Sequence, residues 1–359
     1  TVAASKTHYY SANDGGTVRT NYNNDGAQGN HSLAAGVNTQ TDLGTTTVVG
    51  SQSKATKTGT IAYGSDTLVG YNNTLTDASR VVILGDSNTV TGNATANNAN
   101  KSAVIGAGNT INASAAGGLN YFKSTTLIGV DNKNISNTES SLILGNQNTV
   151  QGSGTESVWF NTRSKLSDSI LLGDRNTMSD TRAVSVIGGG NKATNSYSSS
   201  VTGINNTLTN ADASNIVGIS NKIVMDNAPT TLFGAPSNQV QNNITGVSNT
   251  ISGTSKQNTI IGSNNTLSGA STQNLVAGFG NTLGTNLSGN QILGSNSTVA
   301  ADVVDGVLMG REANLGASKA VVIGASSSAS VADGVALGSN SVANRASNLA
   351  GYVPTGVDA

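Results

Sequence analysis

A short phrase returns along this chain at nearly constant spacing: two apolar residues, a glycine, usually an asparagine three residues later, and an apolar residue two further on. Ile83-Leu84-Gly85 with Asn88-Thr89-Val90, Val186-Ile187-Gly188 with Asn191, and Ile260-Ile261-Gly262 with Asn265-Thr266-Leu267 are three instances. Its anchor glycines are Gly36, Gly50, Gly70, Gly85, Gly106, Gly129, Gly145, Gly173, Gly188, Gly203, Gly218, Gly234, Gly246, Gly262, Gly278, Gly294, Gly310, Gly324 and Gly338, and most intervals are 14, 15 or 16 residues. A fixed period makes each repeat one structural unit stacked on the next, so the sequence predicts a solenoid of such coils. Most enzyme folds are excluded before any site is considered.

Within a repeat, the piece after the glycine alternates, as in Asn206-Thr207-Leu208-Thr209. Period-2 alternation is the mark of a strand with one buried face. Each repeat therefore reads as two short strands with a glycine-permitted corner between them. Helix is disfavoured, because Gly, Asn, Ser and Thr are poor helix formers and no stretch holds a 3.6-residue period. With 4% aromatic and 10% charged residues and 44 glycines, the core has to be thin and made of Val, Ile, Leu and Ala. A net charge of −1 with plentiful β-branched residues argues against disorder, and three prolines leave sheet ladders nearly intact.

Twelve anchors carry asparagine at the third position: Asn73, Asn88, Asn109, Asn132, Asn148, Asn176, Asn191, Asn206, Asn221, Asn249, Asn265 and Asn281. Stacked coils lie roughly 4.8 Å apart, so one asparagine per coil is expected to form a structural ladder of amides. Four intervals are expanded, Gly50–Gly70, Gly85–Gly106, Gly106–Gly129 and Gly145–Gly173. Extra residues in a solenoid map to surface loops, often on a binding face. The largest expansion contains Trp159, Phe160 and Arg163, and another contains Tyr121, Phe122 and Lys123. Aromatics on such loops are typical interface anchors, and these six are the candidate receptor-binding residues. Their alternative is packing against the coil or a subunit interface. No expansion is expected beyond Gly173, where the Gly234–Gly246 interval is short instead.

Other chemistry is poorly supplied. There is no cysteine, hence no disulfide or thiolate. His8 and His31 precede the regular repeats and fit no metal spacing, and a Ser/His or Cys/His triad is unavailable within the solenoid. Glu139, Glu156 and Glu312 are the only glutamates, and a glycosidase-type pair drawn from Asp168 with Asp174 or Asp180 is the remaining catalytic option. No calcium loop is present. Gly188-Gly189-Gly190 and Gly106-Ala107-Gly108 lack the helix that a phosphate loop needs. Neither a nucleic-acid footprint nor an 18-residue apolar span occurs. The Asn-x-Ser/Thr triplets follow from the repeat itself. Thr pairs such as Thr74 and Thr76 flank an inward apolar residue and suggest a hydroxyl array, but the second position drifts to Asn112, Gln151, Ser252 and Gly284.

The C-terminal coils change wording. Val322-Ile323-Gly324 with Ser327-Ser328-Ala329, and Asp333-Gly334-Val335-Ala336-Leu337-Gly338-Ser339-Asn340-Ser341-Val342-Ala343-Asn344-Arg345-Ala346, use Ser and Ala where earlier coils use Asn and larger apolar residues. This stretch resembles the head repeats of trimeric autotransporter adhesins, the YadA-like family. The match is specific over roughly Gly310 to Arg345, and rests on period and the apolar–glycine pair over Gly70 to Gly294. The neck motif that normally follows such a head is not recognisable.

The resemblance implies an all-β, left-handed parallel β-roll, three chains to a trunk. It implies a bacterial cell-surface head, held on the outer membrane through a C-terminal part not in this chain. Its partners would be a host surface or extracellular-matrix protein or glycan, or another bacterial cell, without catalysis, cofactor or metal. Residues 1–35 are expected to be a cap or irregular start, 36–345 the head repeats with insertions concentrated in 50–173, and 346–359 an exit segment. The competing expectations are an ice-binding solenoid and a polysaccharide-binding or -processing β-helix of tailspike type.

Overall fold

The computed structural model describes residues 13, 15–59, 64–95, 99–114, 122–152, 166–227, 231–232, 235–236, 240–346 and 349. These form a parallel β-solenoid with no helix among the described residues. Two units are distinguished, Thr1–Arg182 and Ala183–Ala359.

In the N-terminal unit, the strands that carry the anchor glycines stack in register. Thr47–Ser51, Thr67–Tyr71, Ala78–Asp86, Ala99–Ala107 and Thr126–Val130 pair in turn and in parallel, with Gly50, Gly70, Gly85, Gly106 and Gly129 in one file. A second sheet is built from Lys54–Thr56, Thr74–Thr76, Thr89–Thr91 and Thr110–Asn112, again parallel and in sequence order. Strand alternation turns one side chain per short strand inward. Val48, Leu68, Ile83, Val104 and Leu127 from the first sheet, with Ala55, Leu75, Val90 and Ile111 from the second, are fully buried. The core is this double file of aliphatic side chains.

The C-terminal unit repeats the arrangement. Ser185–Gly189, Ser200–Ile204, Asn215–Ile219, Asn243–Val247, Thr259–Ser263, Leu275–Phe279, Gln291–Ser295 and Val307–Arg311 form its first sheet. Lys192–Thr194, Thr207–Thr209, Lys222–Met225, Thr250–Gly253 and Thr266–Ser268 begin its second. Single bridges Lys256 to Thr272, Thr272 to Ser288 and Ser288 to Val304 mark a narrow third side.

The conformational reason for the phrase lies at its corners. Gly85 has φ +130°, and a Cβ there would sit 1.9 Å from the Gly106 carbonyl oxygen of the next coil. Sterics and backbone conformation both demand glycine at this position. Two residues later the chain turns through a left-handed residue, as at Asn72, Ser87 and Asn205, and five residues before the glycine it does so again, as at Thr45, Ser65 and Arg80. Such residues cost roughly 1–2 kcal/mol each outside glycine, so the corners have to be held by other bonds.

Gly234 is not among the described residues, but its neighbours remove it from the repeat. Gly218 lies directly opposite Gly246, so the 218–246 interval is one coil carrying an insertion. The reading that no expansion occurs beyond Gly173 is thus corrected. Within it, Thr231–Leu232 and Ala235–Pro236 pair as a small antiparallel hairpin. Within the described part of residues 1–35, Leu33–Ala35 pairs in parallel with Thr47–Val49, and Ala27 bridges Thr41. Most residues after Ala346 lie outside the described set.

Candidate functional site

The corner after each anchor glycine is held by a file of buried amides. Asn88 donates Nδ2 to Asn73 Oδ1 at 3.0 Å and to the Gly106 carbonyl at 2.8 Å. Asn109, Asn132 and Asn148 repeat both bonds with their own neighbours, and Asn176 continues to Asn148. In the C-terminal unit the file runs Asn191, Asn206, Asn221, Asn249, Asn265, Asn281. At its ends, serine takes the place: Ser297 Oγ donates to the Gly310 carbonyl, and Ser53 Oγ to that of Gly70. Asn21 supplies the same service at the start, bonding the Gly36 carbonyl and the Asn38 amide.

A second file, four residues before the glycine, went unread in the sequence. Asn242, Asn258, Asn274 and Asn290 are buried and bonded amide to amide. The signal was present as Asn-x-apolar-apolar-Gly, but it is diluted by Ser and Thr at the equivalent positions of other coils.

The insertions share one corner. In the N-terminal unit Thr56, Thr76, Thr91 and Asn112 stand in register just before it, and Ala78, Ala99, Phe122, Thr138 and Leu166 just after it. Asp77 alone turns this corner in one coil and Asn137 alone in another, both left-handed. In other coils residues 57–63, 92–98, 113–121 and 152–165 intervene at that place. The bases of three insertions touch. Asp77 accepts from the Thr58 amide at 2.7 Å, a Cβ on Gly59 would meet the Ala94 carbonyl at 1.8 Å, and Asn93 Nδ2 donates to the Ser114 carbonyl at 3.2 Å. In the C-terminal unit the 226–239 insertion leaves after Met225, at the equivalent point.

Of the six candidate receptor-binding residues, Tyr121, Trp159, Phe160 and Arg163 lie outside the described residues. Phe122 is corrected. It is fully buried, filling the corner as the inward residue of Phe122–Lys123, stacked between Ala99 and Thr138. Its ring belongs to the core because the chain has already re-entered the coil. Lys123 is half-buried and in register with Glu139.

The first sheet presents an apolar file outward. Val49, Val69, Leu84, Ile105, Ile128, Leu144 and Leu172 lie side by side in seven successive coils, and Ile128 is 40% exposed. In the C-terminal unit Ile187, Val217, Ile261, Leu293 and Met309 are similarly exposed, flanked by Ile204, Ile219, Val247 and Phe279. At a coil spacing of about 4.8 Å, the first file alone runs about 29 Å. Patches of this continuity on a soluble chain mark contact surfaces.

Elsewhere the reactive groups are dispersed. Asp168, Asp174 and Asp180 belong to one coil. Asp168 faces Arg182 at 4.0 Å, and Asp174 accepts from the Asn146 backbone at 2.7 Å. No group of three or more His, Asp or Glu side chains suited to a metal occurs among the described residues. His31 sits in an exposed turn, and His8 lies outside the described set. The outward Thr row of the second sheet is broken by Lys54, Lys133, Lys192 and Lys222, each opening its strand. No family model matches the chain, and no curated protein resembles it significantly.

Proposed function

We propose that this chain is the non-catalytic binding head of a bacterial surface adhesin of the YadA-like kind, and that it works as a left-handed, homotrimeric β-roll. The uninterrupted apolar file from Val49 to Leu172 carries this reading. A coil of about fifteen residues has no second layer to cover it, and three copies around an axis would. The insertions leave from a different corner, so they remain available to a host surface or matrix protein, a glycan, or another bacterial cell. Of the carboxylates considered for a glycosidase-type pair, Asp174 accepts from the Asn146 backbone and Asp168 faces Arg182. Anchoring to the outer membrane would come from a C-terminal part outside this chain.

The experiment pairs solution mass with adhesion. Light scattering at several concentrations should give three chains, and immobilised matrix proteins and host cells should retain the wild type. A variant lacking residues 153–165 should keep its mass and lose binding. A monomeric mass at every concentration, or undiminished adhesion of the shortened chain, would overturn the trimer and the loop assignment respectively.

A further inference from the structure

The polar residues four positions before an anchor glycine follow a donor pattern. Ser102 donates its hydroxyl to the carbonyls of Asn100 and Phe122. Thr46, Thr125, Ser141, Ser199 and Ser214 each donate to the carbonyl two residues back. Asn242, Asn258, Asn274 and Asn290 reach the following coil, donating Nδ2 to the carbonyls of Ser255, Ser271, Leu287 and Val303. Each of these asparagines also offers its oxygen to a backbone amide of the next coil.

Asp66 occupies this position in the coil of Gly70, and it is 1% exposed. Its Oδ1 accepts from the Val81 amide of the next coil at 2.8 Å, just as the asparagine oxygens do. Its Oδ2 lies 3.4 Å from the Thr46 hydroxyl of the preceding coil, whose single hydrogen is also within reach of the Gly44 carbonyl at 3.2 Å. A carboxylate has no hydrogen to give from Oδ2, whereas a carboxylic acid has one.

We propose that Asp66 is a proton-binding site built into the solenoid: it enters the folded coil as the neutral acid, and the N-terminal unit is held more tightly in acid than in alkali. Among the described residues the surroundings supply no compensating cation. Thr46, Thr67–Tyr71 and Thr47–Ser51 contribute only neutral groups and the exposed Tyr71 phenol. On Ala78–Asp86, Arg80 is exposed and Asp86 accepts from the Tyr71 amide. Asp77 is engaged by Thr58, and Lys54 is on the outward side of its strand. Burial pushes the Asp66 carboxyl up from 3.8 to about 7, outweighing the hydrogen bonds from Val81 and Thr46.

The sign follows from proton counting. Between 3.8 and about 7 the folded chain holds a proton that the unfolded chain has released. Stability from this group is thus greatest below the unfolded value and falls as pH rises toward the folded one, by about tenfold in the folding equilibrium per pH unit.

Asp66→Asn supplies the missing donor permanently. Denaturant unfolding of the full chain should give near-equal stabilities for wild type and variant at pH 4. The variant should pull ahead as pH rises, by tenfold or more in the folding equilibrium at pH 8. A difference that does not change with pH, or a variant weaker than wild type at pH 8, would overturn the assignment. Hydrogen exchange of the wild type, followed in peptides covering residues 64–86 and corrected for intrinsic rates, reads the same site without a variant. Protection should decline from pH 6 to pH 8 there more than in the Asn258 coil, and equal behaviour of the two coils would count against the proposal.

Discussion

Asn73 and Asn88 share a single oxygen between two donors. Oδ1 of Asn73 receives the Asn88 backbone amide at 3.1 Å and the Asn88 side-chain amide at 3.0 Å. The next coil's corner is thus fixed in backbone and side chain by one atom of the coil before it.

That arrangement makes the file intolerant of isosteric apolar replacement. Asn88→Leu strands the Asn109 backbone and side-chain amides and the Gly106 carbonyl, all served by Asn88. With each stranded buried group costing about 1–3 kcal/mol, the loss should reach about 3 kcal/mol or more. Asn88→Ser keeps an oxygen and a hydrogen, as Ser297 does with Ala313 and Gly310, and should lose less than half as much. Denaturant unfolding of the two variants against wild type checks the order.

The glycine file should be stricter still. Gly85→Ala sets a methyl 1.9 Å from the Gly106 carbonyl and at φ +130°, so the coils on either side must part. We expect loss of cooperative unfolding or insolubility. Gly44→Ala, where the nearest atom is the Asn30 carbonyl at 3.4 Å and φ is ordinary, should fold with its β spectrum unchanged. Circular dichroism and thermal melting of both separate a specific steric demand from a general dislike of added methyls.

The apolar file can be tested without touching the core. Leu84 and Ile128 point outward and are 37% and 40% exposed, so Leu84→Glu with Ile128→Glu should leave each chain folded. If the file is covered by other copies, the double variant should fall from three chains to one in light scattering at micromolar concentration. An unchanged mass would place the contact elsewhere.

Much of this was legible in the letters because the solenoid uses each coil the same way. Gly85 and Asn88 recur since every coil faces the same steric clash and the same unpaired carbonyl. The second file was harder to read, because Ser199, Ser214 and Asn242 satisfy one geometric role with different chemistry. Gly234 misled for the opposite reason: an apolar–glycine pair inside an insertion matches the anchor by letter, yet Gly218 stacks on Gly246 without it. Phe122 misled because the boundary between insertion and coil is set by backbone pairing with Ala99, which composition does not show. Asp66 carried no sequence signal at all, since one carboxylate looks like another until its burial is known.

Within each unit the amide files also have a direction. Every described bond between two of these asparagines runs from the later residue to the earlier one, while Asn88, Asn109, Asn132 and Asn148 each donate onward to the glycine carbonyl of the next coil. A finished coil therefore offers its successor a bare side-chain oxygen in a fixed place, while its own Nδ2 is completed by the glycine carbonyl of that successor. The file is thus polar along the chain: each of these coils is received by the oxygen before it and closed by the carbonyl after it, so the two ends of a file offer different groups, an amide at one and an oxygen at the other.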